Sequence, residues 1–461
     1  MVRIRNREEL LSNAHSSVSR RGREIVLDAI EKSLEAVDPG RVVRSRVKSS
    51  NNLLQVNEET FDLTRFKRIF VVGGGKASGS MAEALDEILG ERIEEGVIVV
   101  PQGTSDRYES ERIEFHEASH PIPDESSVNG AKKMLNLASR AGEDDLVISL
   151  ISGGGSSLVA LPREGISLRD KQEVTDTLLK SGATINEINA VRKHMSSFKG
   201  GQLAREAYPA TVLSLLLSDV VGDPLDVIAS GPTVPDPTTF DDAVNVLKRH
   251  SLWEHAPKAI REILSEGTKG TIHETPKRDD PTFTRVHNVV VGNNRLACTA
   301  ATEELGKRGL DSLFLTSFME GEARDVGSML GAVAREITAS GNPVPPPAGI
   351  VAGGETTVTV KGDGVGGRNQ EICLSAALKI EDLDKVIVAS VTTDGIDGPT
   401  DSAGAVVDGR TVSRSRELGL DARECLQNND SYSFFHEIGD LIYTGPTGTN
   451  VNDITILAML L

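Results

Sequence analysis

Aromatic side chains are scarce in this sequence: they make up 3% of it and include a single tryptophan, Trp253. A chain so poor in stacking surfaces offers no platform for single-stranded nucleic acid, and its core must be aliphatic. Cysteine is rarer still. Cys298, Cys373 and Cys425 are far apart, odd in number and never spaced C-x-x-C, which argues against a disulfide framework or a zinc knuckle and fits a reducing cytoplasm. No basic block offsets a formal net charge of −18, so non-specific binding to nucleic acid or to an anionic membrane face is not expected. Long apolar runs are missing too. Val212–Leu217 is typical of the longest, far short of a membrane span, and the N-terminus lacks the apolar stretch of a signal peptide.

What is present reads as an α/β protein of several domains, since 461 residues exceed one ordinary core. Residues 1–48 have the spacing of one amphipathic helical region, with Ile25, Leu27, Ile30 and Leu34 on one face and Asp38-Pro39-Gly40 as its stop. An apolar strand, Ile69–Val72, then runs into Gly73-Gly74-Gly75-Lys76-Ala77-Ser78, a helix over Met81–Leu89 and a strand over Gly96–Val100. Strand, glycine turn, helix and strand in about thirty residues make a βαβ unit and imply a parallel sheet. The pattern recurs: a helix over Ser126–Ala141, a strand over Leu146–Ile151 and a second triple-glycine loop, Ser152-Gly153-Gly154-Gly155-Ser156-Ser157. Residues 168–207 read as helical with an interruption around Ala190–His194, and a strand over Val212–Leu217 ends in Ser218-Asp219. Ser265–Thr284 has no core-forming period, which places a domain boundary there and gives domains 1–268 and 269–461. Beyond it, strands are expected over Val286–Val291, Leu313–Thr316 and Val386–Val391.

The stretch Gly353–Glu371 is the most unusual. It holds six glycines around Glu355 and Arg368, with an alternating strand expected over Thr356–Lys361. Glycine costs entropy where it is not needed, so this density points to backbone that approaches an anion closely.

The glycine loops put backbone N–H groups and helix N-termini at the carboxyl edge of a sheet, where open α/β proteins bind phosphates. Gly74, Gly75, Ser152, Gly154, Gly155 and Ser156 are the candidate phosphate contacts, with Lys199 nearby in Lys199-Gly200-Gly201. Lys76 in the first turn of a helix opposes the helix dipole, which a bound anion would offset. The loop is neither a Walker A motif nor a dinucleotide fingerprint: Ala77 follows the lysine, and the next strand ends in Val100-Pro101-Gln102 with no acid for a ribose, which disfavours a nicotinamide cofactor. Carboxylates at strand ends supply the remaining chemistry, because phosphoryl transfer needs Mg²⁺ on oxygen ligands. The candidates are Asp219, Asp223, Glu355, Asp394, Asp397, Asp401 and Asp453, with Arg368 as a fixed positive fork.

The chain resembles the type II glycerate kinases, the family with a C-terminal MOFRL module. The likeness rests on Gly73–Ala77, Ser152–Ser157, Asn189–Lys193 with Lys199–Gly201, Ser218–Pro224, Gly353–Val358, Gly366–Glu371, Asp394–Asp401 and Thr444–Asp453, which occur in order over nearly the whole chain. Val365 stands where a more polar residue is usual, and the N-terminal arm is longer than expected. The resemblance implies a larger Rossmann-like parallel-sheet domain and a smaller MOFRL-type α/β domain with the active site in the cleft between them, closed during turnover. It implies ATP- and Mg²⁺-dependent phosphorylation of D-glycerate, most often at the 2-hydroxyl. In that frame Lys76, Arg368 and Asp219 are catalytic candidates, Arg192, Lys193, Asn369 and Glu355 substrate contacts, and Asp394, Asp397 and Asp219 metal ligands. A cytoplasmic monomer or homodimer fits. The alternatives are an NAD(P)H-dependent hydroxypyruvate reductase and a non-catalytic sugar-acid or nucleotide sensor.

Overall fold

A computed structural model describes residues 3–461. The chain forms two compact units, one of Pro39–Gly292 (the inserted unit) and one of Met1–Asp38 with Asn293–Leu461 (the terminal unit). The division expected at 268/269 is therefore displaced at both ends. Val286–Gly292 is a strand of the inserted unit's sheet, and the N-terminal arm belongs with the C-terminal half. The arm is not one helix: Arg7–Ser12, Ser17–Ala36 and Pro39–Arg46 are separate, and Pro39 opens the third rather than ending the second. A proline needs no N–H in a first turn, so it suits a start as well as a stop.

The inserted unit begins with a small antiparallel sheet, β1 (Val47–Ser50), β2 (Leu53–Val56) and β3 (Glu59–Asp62). Its main sheet contains β4 (Arg68–Gly74), β5 (Ile93–Pro101), β6 (Ile113–Ala118), β7 (Asp145–Ile151), β8 (Thr211–Leu217) and β9 (Val286–Gly292). All pairings are parallel, in the order β6-β5-β4-β7-β8-β9. That is the doubly wound arrangement whose strand order reverses between β4 and β7, and ligands of such sheets bind at the carboxyl ends of the strands at this switch. Burial on both faces accounts for the largely apolar sequences of β7 and β8, each interrupted by one buried serine, Ser149 and Ser214. Helices Leu168–Lys180, Ile185–His194, Phe240–Arg249 and Lys258–Thr268 contribute to a second apolar cluster that includes Val174, Leu178, Val191, Phe240 and Leu264. The interruptions within 168–207 fall before and after Ala190–His194, which is itself helical and capped by a Thr184/Glu187 box.

The terminal unit's sheet is mixed. It contains β10 (Asp311–Met319), β11 (Ala348–Gly354), β12 (Val386–Thr392), β13 (Gly404–Asp408), β14 (Leu441–Ile442) and β15 (Asp453–Met459), in the order β10-β11-β15-β12-β13-β14. β10 and β11 are parallel, and β15 runs antiparallel between β11 and β12. Phe434, Phe435, Leu374, Val388 and Leu457 are buried in its core, each side chain contributing about 1.5–3 kcal/mol of burial. The arm is held there by Arg23, whose wholly buried guanidinium bonds both Asp408 and Asp440. The expected strand over Thr356–Lys361 is absent; only Thr357 makes a bridge, to Glu322. The Thr357, Thr359 and Lys361 amides donate locally instead, to Gly321 O, to the Glu322 carboxylate and to Asn429 Oδ1, while the buried Thr356 hydroxyl has no partner among the described residues. Among the described residues no helix is long and apolar enough to cross a membrane.

Candidate active site

In the inserted unit, Gly74 pairs with Ile151 in the register of β4 and β7, so the two triple-glycine loops leave neighbouring strands at one level. They interlock. The Lys76 N–H donates to Gly153 O at 2.8 Å, the Ala77 N–H to Ser152 Oγ at 3.0 Å, and the Ser78 and Ser152 hydroxyls lie 3.1 Å apart. A Cβ on Gly75, where φ is +150°, would lie 2.1 Å from Ser152 Oγ, so this contact demands glycine.

The loops are thus not equivalent anion cradles. The amides of Gly75, Lys76 and Ala77 are spent on Val99 O and on the second loop, whereas those of Gly153, Gly154 and Ser156 have no acceptor among the described residues. Gly154 is left-handed at φ +80°, and successive N–H groups in such a turn form an anion-binding concavity. Lys76 is half-buried and lies just before the helix Ser78–Leu89 rather than inside its first turn. Its Cγ would be 3.2 Å from a Cβ on Gly154, so it borders that concavity. Asp219, after β8, packs against Gly153: a Cβ there would sit 2.2 Å from its carboxylate.

Of the basic residues that follow, Lys193 is committed to ion pairs with Asp226 at 3.2 Å and Asp236 at 3.4 Å, and is not directed to a ligand. His194 is structural, bonded to Ala190 O and Glu274. Lys199 is buried and donates to Ser156 O at 2.9 Å and Ser156 Oγ at 3.0 Å. Desolvation first, and then the charges of Lys171 and Arg192, hold it well below the ordinary lysine range. Lys171 went unremarked in the sequence. The available signal was its place on the buried stripe with Val174 and Leu178.

In the terminal unit, Asp453 pairs with Gly354 on one side and Thr392 on the other, which brings the carboxyl ends of β11 and β12 to one point. Arg368, first residue of the helix Arg368–Ile380, sends Nε and Nη2 to the two Asp453 oxygens at 2.5 and 2.9 Å and Nη1 to Glu355 at 2.7 Å. Burial opposes its charge, but Asp453 and then Glu355 hold it above its ordinary value. Desolvation lifts Asp453 to about 7 in spite of Arg368. Two members of the expected set face inward. Asp397 accepts from the amides of Asn369 and Gln370 at 3.2 and 2.9 Å, capping a helix whose own N-cap, Gly367, has no side chain; burial raises it to about 6. Asn369 is buried between Asp397 and the Ser390 hydroxyl, so neither end of its amide is left for a substrate. Asp394 accepts from Thr392 Oγ1 and the Ile396 amide. Among the described residues, no three His, Cys, Asp or Glu side chains form a group suited to a metal ion.

Residues 25–265 match the family described as domain of unknown function DUF4147, and residues 348–453 match the MOFRL family. A glycerate 2-kinase of Pyrococcus horikoshii is 47% identical over 94% of this chain and 96% of its own, and a D-glycerate 2-kinase of Thermotoga maritima is 42% identical over 94% and 97%. The chain belongs to the MOFRL-type glycerate kinase family. A crystal structure of a Thermotoga maritima glycerate kinase has a TM-score of 0.84 at 40% identity, covering 95% of this chain and 99% of that one. A relative from Agrobacterium vitis, 44% identical over 84% of this chain and 86% of its own, carries the provisional name of hydroxypyruvate reductase.

Proposed function

We infer that the protein is a kinase that transfers a phosphoryl group from ATP to the 2-hydroxyl of D-glycerate, giving 2-phosphoglycerate and ADP. The observation that carries the reading is the open amide concavity of Gly153–Ser156 at the sheet's switch point, bordered by Lys76, in a chain of this family. Phosphoryl transfer asks a protein mainly for positioning and charge stabilisation, and the residues fit that demand. In this reading the amides of Gly153, Gly154 and Ser156 hold phosphate oxygens, Lys76 stabilises the charge that develops beside them, and Arg368 is the catalytic cation of the terminal unit. Asp219, fixed against Gly153, accepts the proton of the 2-hydroxyl. Glu355 and Asp453 orient Arg368, the latter as a bidentate clamp.

The residues also fit Mg²⁺ in the form it usually takes beside nucleotides. That ion keeps several waters and takes one or two carboxylates with substrate phosphates, so no three-carboxylate cage is required. Each unit offers one candidate carboxylate for an ion that would neutralise phosphate charge, Asp219 in the inserted unit and Asp394 in the terminal unit; Asp397 is left out because both of its oxygens accept amide protons. Reduced cysteines at 298, 373 and 425 accord with a cytoplasmic setting.

The test is ³¹P NMR of a mixture of the protein, ATP, Mg²⁺ and D-glycerate. A 2-phosphoglycerate resonance is expected, a 3-phosphoglycerate resonance would move the acceptor, and no new phosphomonoester would overturn the kinase. The reductase name of one relative calls for a second assay, NADH oxidation by hydroxypyruvate without ATP. None is expected, because β5 ends at Pro101 and Gln102 with no acid to bind a ribose.

A further inference from the structure

Within the inserted unit, three cations lie in one another's fields without an acidic partner. Lys171, on the helix Leu168–Lys180, is 4% exposed, and its ammonium has no hydrogen-bond partner. Arg192, on the packed helix Ile185–His194, is partly exposed, and its Nε is buried and equally unpartnered. Lys199 donates only to neutral oxygens, Ser156 O, Ser156 Oγ and, at 3.4 Å, Ala229 O. The helices that carry Lys171 and Arg192 pack on each other, and the turn Ile228–Ser230 that receives the Lys199 ammonium packs on the Arg192 helix, tied to it by Ser230 and Asn189. Desolvation and then the Arg192 charge hold Lys171 down to about 7, and desolvation and then Lys171 and Arg192 depress Lys199.

Burying a charge without a counter-ion is costly, and an arginine cannot escape by losing its proton. The next residue along shows the usual solution: Lys193, equally buried, has two aspartates. The wall beside the three cations is stiff and strained. Ala229, Ser230 and Gly231 are successively left-handed at φ 49°, 63° and 60°, and Ser230 is pinned between Ser156 at 3.1 Å and Asn189 at 3.0 Å. Backbone of this kind persists where surrounding contacts over-determine it, and it clusters at ligand clamps.

We propose that Lys171, Arg192 and Lys199 form a pocket for a small oxyanion next to the Gly153–Ser156 loop, receiving the carboxylate of the substrate acid or the terminal phosphate of the nucleotide. This rests on the kinase reading and says where one of its anions goes. Arg192, the exposed member, is the entrance, and Lys199 links the pocket to the loop through Ser156.

The experiment uses the full chain and the variants Lys171→Met and Arg192→Met. D-glycerate and MgADP are titrated separately by calorimetry, and the melting temperature is recorded with and without inorganic phosphate. At least a tenfold loss of affinity is expected in both variants, falling on D-glycerate if the pocket takes the carboxylate and on MgADP if it takes a phosphate. Phosphate should raise the wild-type melting temperature and leave that of Lys171→Met unmoved, and without ligand Lys171→Met should melt no lower than wild type. Binding of both ligands within twofold of wild type in both variants overturns the pocket, as does a lower ligand-free melting temperature for Lys171→Met. Should Lys171→Met fail to fold, that too counts against an uncompensated charge, and Arg192→Met still reports on binding. A wild type that makes no phosphoglycerate but loses phosphate binding on substitution would sink the kinase and leave the pocket standing.

Discussion

Arg368 in the terminal unit and the Lys171, Arg192 and Lys199 group in the inserted unit all carry positive charge partly or wholly out of solvent, and they are built in opposite ways. Arg368 meets three carboxylate oxygens within 2.9 Å, so its position and charge are settled by the fold. The three cations of the inserted unit meet no carboxylate. A charge fixed by partners is a positioned tool, available without reorganisation when new charge develops nearby. A charge without partners is a demand that a ligand can meet. In the proposed reading, the difference separates a group that acts on a transition state from groups that bind a ground-state anion.

The largest effect on this contrast should come from Arg368→Ala, which removes the fixed charge. A fall in kcat of about 10²–10³-fold is expected in a coupled assay of ADP release. The variant should also lose about 3 kcal/mol of stability at pH 8, where Asp453, its carboxyl raised further once Arg368 is gone, must stay buried unpaired or take up a proton, and much less at pH 5, where a carboxyl already raised to about 7 is protonated before the substitution. Urea unfolding at the two pH values checks the sign.

The two neighbouring buried lysines sharpen the comparison further. Lys193→Met leaves the wholly buried Asp236 with its threonine donors but without its lysine counter-ion and should cost about 3 kcal/mol in urea unfolding, whereas Lys171→Met removes no ion pair and should cost none. Equal losses would erase the distinction between paired and waiting charges.

A smaller change is expected from Gly153→Ala. Its methyl group would lie 2.2 Å from the Asp219 carboxylate, which must move. Turnover should fall about 10- to 100-fold, with helical circular dichroism unaltered.

The smallest effect is a slope. Lys171 is lowered from an ordinary 10.5 to about 7, so from pH 7 up to 10.5 the unfolded chain holds a proton that the folded one lacks. Stability therefore rises with pH across that window on account of Lys171, and is penalised below it. Between pH 7 and 8 the wild type should gain about 1 kcal/mol relative to Lys171→Met, read from unfolding midpoints in matched buffers.

The parallel sheet was legible because its signals are local: an apolar run, a glycine turn and a helix follow each other within one βαβ unit, as at Ile69–Val100. Arg368 and Glu355 were legible for a similar reason, since six glycines around two charges have few packing uses. What escaped depends on tertiary packing. The stretch Lys171–Lys180 contains enough polar residues to suggest a solvated helix, and only the neighbouring helices bury Lys171. Asp397 and Asn369 look like ligands in a polar, glycine-rich string, yet Asp397 is consumed in capping a helix whose own cap has no side chain. Thr356–Lys361 alternates like a strand, but no neighbouring strand pairs with it, and alternation without a partner makes no sheet. The open amides of Gly153 and Gly154 could not be distinguished from the spent ones of Gly75 and Lys76, because the two loops differ in which one grips the other.

The interrupted terminal unit has a consequence for how the chain comes into being. Pro39–Gly292 is one continuous stretch and is complete as soon as it has been synthesised, but the helix Ser17–Ala36 belongs with strands made last. Arg23 precedes its partner Asp408 by 385 residues. At translation speeds of about 5–20 residues per second, its apolar face and its guanidinium wait roughly 20–80 seconds for the surface that will cover them. The N-terminal arm is thus made before the inserted unit yet covered only after it, so the terminal unit closes late in synthesis.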